Sequence, residues 1–380
     1  MIYLDHNATT PVDPRVLEAM LPWLRDNFGN AASRDHSLGW DASAAVEEAR
    51  GHVASLLNAG HHEIFFTSGA TESAALVLHG MFPSADGRGI VASAVEHQAV
   101  LGACRSVARR GTRLRLVDVD AEGNLDRDAL ASLLREEPPA LVCAMAANNE
   151  TGVLFPLRAC AEQAHAAGAL LFADSAQALG KTPLDAASDG FDFAAFSAHK
   201  LYGPKGVGGL YIRGGREAAR LEPLSGGGQE GGQRAGTLNV AGIVGFGEAC
   251  RLAAAESAEE TARLRTLRDR LEAGLRERIP KIRSNGGGAD RLANTANLAF
   301  PGCEAHALLR SMPNVAASTR SACSSGETGP SHVLTAMGLS EDLAFASIRF
   351  SLGRGTTEAD IDAVTGTVAA AYLLSAGRIG

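Results

Sequence analysis

The sequence lacks the features that would place the chain in a membrane. No uninterrupted apolar stretch approaches the ~18 residues expected of a spanning helix. The opening, Met1-Ile-Tyr-Leu-Asp5-His6, has an acid where a secretory leader needs bases ahead of a long apolar run. There is no basic excess either. A net charge of −8 and a pI near 5.8 argue against a nucleic-acid or anionic-membrane partner, both of which favour a basic surface. Local arginine clusters exist, and one of them, Arg105, Arg109, Arg110, Arg113 and Arg115, reads as a solvated helix end followed by a strand edge. Cysteine is sparse: Cys104, Cys143, Cys160, Cys250, Cys303 and Cys323 show neither CxxC pairing nor zinc spacing. A disulfide framework is not expected at this size, so the thiols read as reduced and the chain as cytoplasmic. Five of them read as small buried hydrophobes and Cys323 as different. Repeats, low-complexity tracts and disordered linkers are also missing.

What is present is a core-forming chain of 380 residues with 46% hydrophobic residues, long enough for about two domains. Short apolar runs predict strands at Glu63–Thr67, Ile90–Ser93, Leu114–Asp118, Ala140–Ala144, Ala169–Asp174, Phe193–Ser197 and Gly209–Arg213. Helical patterns of crossover length lie between several of them, at Thr71–Met81, Gln98–Arg110 and Leu157–Ala167. This rhythm predicts an α/β fold with a mostly parallel seven-stranded sheet flanked by helices. In such a sheet, ligands bind beyond the carboxyl ends of the strands. The segment Gly226–Gly232 breaks the pattern, and a long helix follows with Leu264, Leu267, Leu271 and Leu275 at helical spacing. The remainder predicts a smaller α+β domain, with strands near Thr295–Phe300 and Ser347–Ser351 and helices near Glu304–Ser311 and Glu358–Leu374.

Three strand-end segments carry chemistry. Ser197-Ala-His199-Lys200 follows an apolar strand, an odd place for a lysine kept only for solubility. An imine link to an aldehyde cofactor gives Lys200 a purpose, and Ser197 and His199 can donate to a phosphate. Lys205, between Pro204 and Gly206, reads as solvated. Asp174 ends the strand before, where a carboxylate can pair with a protonated pyridine nitrogen. Ser68-Gly69-Ala70-Thr71-Glu72 follows another strand and opens a helix, so its backbone N–H groups and hydroxyl make an anion site. Each feature alone has a bland reading: a loop lysine, a turn aspartate, an ordinary cap. Their order along one chain is the signal.

With these segments in place, the chain resembles the cysteine desulfurases of the nitrogen-fixation and iron–sulfur-cluster type, fold-type I enzymes within the class V aminotransferases. The resemblance runs from Tyr3-Leu-Asp-His-Asn-Ala-Thr-Thr-Pro11 to Arg349-Phe-Ser-Leu-Gly353. It includes Glu96-His97, Asn148-Asn-Glu-Thr-Gly152, Arg234-Ala-Gly-Thr237 and Ser321-Ala-Cys323. It implies a large domain over 14–255 that binds pyridoxal 5′-phosphate (PLP), and a small domain of 1–13 plus 256–380. It further implies that Lys200 carries the cofactor, Asp174 holds the pyridine nitrogen, and Gln177 meets the phenolic oxygen. His97 stacks on the ring and moves protons, while Ala70, Thr71, Ser197 and His199 hold the phosphate, joined by Thr237 from the second subunit of a homodimer. Asn149 and Arg349 clamp the carboxylate of L-cysteine, as a planar guanidinium suits a carboxylate. Cys323, in the polar stretch Ser318–Pro330, takes the sulfur as a persulfide and passes it to an acceptor protein. No metal is implied.

Two other activities fit the same scaffold, selenocysteine lyase and aminotransferase, as does a non-catalytic relative. Arg320 stands where the family usually has glycine, and Gly231-Gly232 where it often has Arg-Gly. The sequence stops at Gly380 without the tail that cluster-assembly members use to dock a scaffold, so desulfuration is the firmer expectation. Iron–sulfur assembly, tRNA thiolation and DNA phosphorothioation stay open as destinations for the sulfur.

Overall fold

The computed structural model describes residues 1–84, 87–219, 221–222, 226–319 and 329–376; Arg320 and Cys323 lie outside the described residues. In chain order the described strands are β1 (Ile2–Tyr3), β2 (Ile64–Thr67), β3 (Ile90–Ser93), β4 (Leu114–Val117), β5 (Leu141–Cys143) and β6 (Leu170–Asp174). They continue with β7 (Phe193–Ser197), β8 (Gly208–Ile212), β9 (Arg283–Ser284), β10 (Thr295–Ala299), β11 (Val315–Ala316) and β12 (Ser347–Ser351).

The large sheet has the order β2-β8-β7-β6-β5-β3-β4. Only β8 runs antiparallel to its neighbours, so the sheet is the mostly parallel α/β layer expected. Its central strands are near-continuous apolar runs, such as Leu-Leu-Phe-Ala-Asp in β6 and Phe-Ala-Ala-Phe-Ser in β7. That composition suits strands covered on both faces, and crossover helices Ala70–Met81, Gln98–Ala108, Arg127–Glu136 and Leu157–Ala166 supply the cover. Their starts are fixed locally: Asp126 accepts from the backbone N–H of Asp128 and Ala129, and His97 accepts from Ala99. The chain direction puts the ends of β2, β3, β5, β6 and β7 on one edge of the sheet.

A second apolar core gathers both chain ends. Leu4 packs there with Leu264, Leu271 and Leu275, with Leu298, Ile348 and Phe350, and with Val364 and Val368. β12, β10 and β9 form its sheet, and β1 pairs with β11. The 39-residue helix Val240–Arg278 joins the two cores, with Ile243, Phe246 and Ala249 in one and Leu264 to Leu275 in the other. The boundary read between 255 and 256 therefore falls inside a continuous helix. Val333, Leu334 and Met337, read as small-domain residues, pack into the large core.

Helices without a counterpart in the sequence reading include Pro14–Arg25 and Ser37–Leu56. The second hides its buried face in small residues, Gly39, Ala42, Ala49 and Ala54 among them. Little side-chain hydrophobicity marks it because its function is close approach. Of the five cysteines read as buried, four are; Cys303 is only half-buried, in the turn that leaves β10.

Close approach between Ser37–Leu56 and Val240–Arg278 depends on Gly247, where an added Cβ would lie 2.5 Å from the Ala49 Cα. Backbone cannot give way there as a flexible side chain would. Gly247→Ala should therefore destabilise the fold by about 1–3 kcal/mol, seen as a lower urea midpoint with an unchanged slope. An unchanged midpoint would mean the helices can separate at little cost.

Candidate active site

Five loops at the carboxyl edge of the large sheet, after β2, β3, β5, β6 and β7, converge on one cleft. After β7 a single 3₁₀ turn, Ala198–Lys200, turns the Lys200 side chain toward the N-terminal segment. Its Nζ donates to the carbonyls of Asn7 and Ala8, the latter at 2.8 Å. After β2, the Ser68–Thr71 loop enters helix Ala70–Met81 without a side-chain cap. The Ala70 N–H donates instead across the cleft to Ser197 Oγ, 2.9 Å away, which leaves the Ser197 hydroxyl hydrogen for another acceptor. This loop can lie close because β8 presents glycine: a Cβ on Gly208 would be 2.6 Å from the Gly69 Cα.

Asp174 closes β6 and is 8% exposed, with Oδ1 accepting from Ala176 N at 3.1 Å. After β5, Asn148 Oδ1 accepts from the N–H groups of Glu150 and Thr151 at 2.8 and 3.0 Å. That turn fixes Asn149, which is buried. Arg349 enters from β12 on the other core. It is 1% exposed, donates to the Asn149 carbonyl at 2.9 Å and to Asp5 at 2.7 Å, and its Nε has no hydrogen-bond partner.

The cleft has a cavity volume of about 130 Å³. Ala70, Thr71, His97, Asn149, Asp174, Gln177, Ser197, His199, Lys200 and Arg349 all line it, so ten of the twelve residues singled out from sequence come together. Thr237 does not: it is exposed and absent from the lining. Cys323 lies outside the described residues. Sequence reasoning missed Asn7 and Ala8, whose carbonyls receive Lys200. The signal was available in the N-terminal motif, but a backbone contribution leaves no residue-type signature.

Charge in the site is unbalanced toward cations. Burial, then Lys200, then Arg349 bring the Lys181 ammonium, just behind the cleft, down to about 7. Burial and the neighbouring lysines bring His199 to about 4, so its ring is neutral while Nδ1 meets Thr9 Oγ1 at 3.1 Å. On His97, Nδ1 accepts from Ala99 at 3.2 Å, which puts the ring proton on Nε2. Burial, reinforced by Asp174, pushes the fully enclosed Glu96 carboxyl well above its ordinary range, and its Oε2 has no partner.

The donor set fits a phosphorylated pyridine aldehyde. An amine sits on one wall, and a carboxylate near the cleft floor can pair with a ring nitrogen. An uncapped helix start with a hydroxyl and a neutral imidazole suits the phosphate, and a buried guanidinium with an orphaned donor suits a carboxylate. Fold and site together define a class V aminotransferase: that family's model matches residues 2–364, and the chain belongs to it. A relative from Anaeromyxobacter sp. (strain Fw109-5) named cysteine desulfurase IscS is 47% identical over 365 residues, covering 96% of this chain and 90% of the relative. Among solved structures, a NifS-like protein superposes with a TM-score of 0.89 at 35% identity, covering 98% of this chain and 99% of its own. Another, SspA in complex with cysteine, has a TM-score of 0.81 at 31% identity, covering 93% of this chain and 99% of its own.

Glu96 generates a pH-dependent prediction. A carboxyl whose folded pKa is raised binds a proton in the native state after the unfolded chain has lost it. Its contribution to stability is therefore fully present below the ordinary value of 4.5 and declines as pH rises toward the raised value. Glu96→Gln keeps the neutral shape, so its stability relative to wild type should rise between pH 5 and pH 8 in paired urea titrations. A difference independent of pH would mean that Glu96 is ionised in the fold.

Proposed function

We propose that this chain is a PLP-dependent cysteine desulfurase that converts L-cysteine to L-alanine and leaves the sulfur as a persulfide on Cys323. The observation that carries this reading is the convergence of Lys200, Asp174, His97, Gln177 and Arg349 on one cleft. Relatives named cysteine desulfurase, and a structural neighbour holding cysteine, support the substrate class. When bound, PLP stabilises negative charge at the substrate Cα.

The chain's own residues do the rest. Lys200 holds the cofactor, and its Nζ takes the proton from the substrate Cα once the substrate displaces it. Asp174 would hold the ring nitrogen protonated, and the Gln177 amide would meet the ring oxygen. Arg349 holds the substrate carboxylate, with Asn149 beside it, and this fixes which bond at Cα is presented to Lys200. His97 carries the exchangeable proton on Nε2. Cys323 Sγ attacks the substrate sulfur, a sulfur–sulfur bond forms, and the carbon–sulfur bond breaks with its electron pair left on carbon. Protonation of that carbon completes alanine, and the persulfide is transferred to an acceptor protein. Transamination needs none of these sulfur steps, which makes Cys323 the residue that separates the two chemistries. No helix among the described residues is long and apolar enough to cross a membrane, and we place the enzyme in the cytoplasm.

We also propose a homodimer, with residues 14–255 as the cofactor domain and 1–13 plus 256–380 as the small domain. Thr237 lies outside its own cleft and is exposed, as a residue serving a partner's phosphate site must be. Leu17, Leu21, Leu24 and Phe28 form an exposed apolar stripe along and just beyond helix Pro14–Arg25, with Phe28 76% exposed.

Lys200→Ala should abolish the visible absorption of the bound cofactor, whereas exposed Lys205→Ala should keep it. Cys323→Ser should retain that absorption and its response to cysteine but release no sulfide with reductant present. Sulfide release at the wild-type rate would move the nucleophile elsewhere, and loss of colour in Lys205→Ala alone would move the cofactor. For the assembly, Leu24→Asp combined with Phe28→Asp should shift sedimentation from dimer to monomer and weaken PLP retention. A wild-type chain that sediments as an active monomer would sink the dimer.

A further inference from the structure

Behind the cleft wall lies a second cavity that the proposed reaction does not use. It is lined by His6, Lys181, Lys200, Tyr202, Glu260 and Arg354 among others, and Lys200 is the residue it shares with the cleft. Lys181 stands between the two. It borders open cavity space, so it retains some accessible surface, yet it is packed deeply enough that burial dominates its electrostatics. Its Nζ donates to Gln177 Oε1 at 2.8 Å, and Gln177 Nε2 donates to the Asn7 carbonyl at 2.8 Å.

These two contacts determine the carboxamide orientation from chemistry alone. A backbone carbonyl can only accept, so the atom facing Asn7 must be nitrogen. With its nitrogen on Asn7, the carboxamide turns its oxygen to Lys181, whose N–H donates to it. Exchanging the amide ends would set an N–H against an ammonium and an oxygen against an oxygen. The amide oxygen is thus drawn back toward Lys181, and the donor left to Gln177, which lines the cleft, is the second N–H of Nε2. Without Lys181, the carboxamide could turn and offer oxygen to the cleft.

We infer that Lys181 is a positioning residue: it locks Gln177 so that this side chain can only donate into the cleft, which selects an anionic oxygen on the ring bound there. The inference rests on the PLP reading above and adds to it a residue that touches neither cofactor nor substrate. Lys181 also faces Lys200, Arg349, His6 and Glu260, so its charge acts on the site in the same direction as the donor it orients. Both disfavour a proton on the Lys200 nitrogen next to that oxygen.

The test uses purified holoenzyme and reads the pH midpoint of the visible absorption of the Lys200-linked cofactor. Lys181→Met removes the donor and the charge, and should raise that midpoint by about one unit. Lys181→Arg keeps both and should restore it at least partly. The decisive arm is Gln177→Met: if Lys181 acts through the carboxamide, adding Lys181→Met to Gln177→Met should move the midpoint by less than half as much as it does alone. An undiminished shift in the double variant, or no shift in Lys181→Met, overturns the inference. Should Lys181→Met fail to fold, the comparison of Lys181→Arg with Lys181→Gln carries the same two arms. A wild-type protein without the absorption band would instead overturn the PLP reading itself, so the two failures are distinguishable.

Discussion

Arg349 brings a permanent charge to a position 1% exposed, where lost hydration must be offset by hydrogen bonds already in place. Those bonds come from distant parts of the chain. Asp5 arrives with the N-terminal segment, the Asn149 carbonyl with the loop after β5, and Arg349 itself with β12 near the other end. The backbone reinforces the same junction: Arg349 pairs with Asn297 in the small sheet and exchanges hydrogen bonds with Ser318 on its other side. With Asp5 and the Asn149 carbonyl each holding one of its nitrogens, the guanidinium ties the two cores together at this point. The residue meant to grip a substrate is also the one that sets where the second core sits against the first.

Around that junction Lys200 and Arg349 line the cleft and Lys181 lies just behind it. Asp5 is bound to Arg349, and burial next to Asp174 pushes the Glu96 carboxyl well above its ordinary range. Burial, and after it repulsion from Lys200 and Arg349, lowers the Lys181 ammonium. Anionic ligands relieve the repulsion. A phosphate at the uncapped helix start and a carboxylate at Arg349 bind to an arrangement that is unfavourable without them, and this gives affinity for doubly anionic partners before any shape is considered.

The sequence made the large sheet legible because its strands are fully buried apolar runs separated by crossover helices. β3, β7 and β12 were bounded to the residue, and errors elsewhere were of one or two positions at frayed ends. The site was legible where function sits in a side chain just past a strand, as for Lys200, Asp174 and the Ser68–Thr71 loop. Three kinds of feature were not. Helix Ser37–Leu56 buries small residues, which carry no amphipathic stripe. Strands β1, β9 and β11 are two residues long, too short for an apolar run to mark them. Asn7 and Ala8 act through carbonyl oxygens that every residue possesses.

Asn7 shows why backbone contributions matter at this site. Its carbonyl accepts from both Lys200 Nζ and Gln177 Nε2, its side-chain Nδ2 donates to Thr295 Oγ1 at 2.9 Å, and its N–H donates to Ser351 Oγ at 2.9 Å. The residue is 1% exposed and so has no water to fall back on. A lysine that forms and breaks a covalent link must leave and return to its hydrogen-bonding partners, and a buried carbonyl abandoned each time would cost about 1–3 kcal/mol. Because Gln177 stays on Asn7 whichever way Lys200 turns, that carbonyl retains a donor throughout. The wall behind the moving lysine can then remain rigid, anchored to the small sheet through Thr295 and Ser351, while only the lysine changes partners.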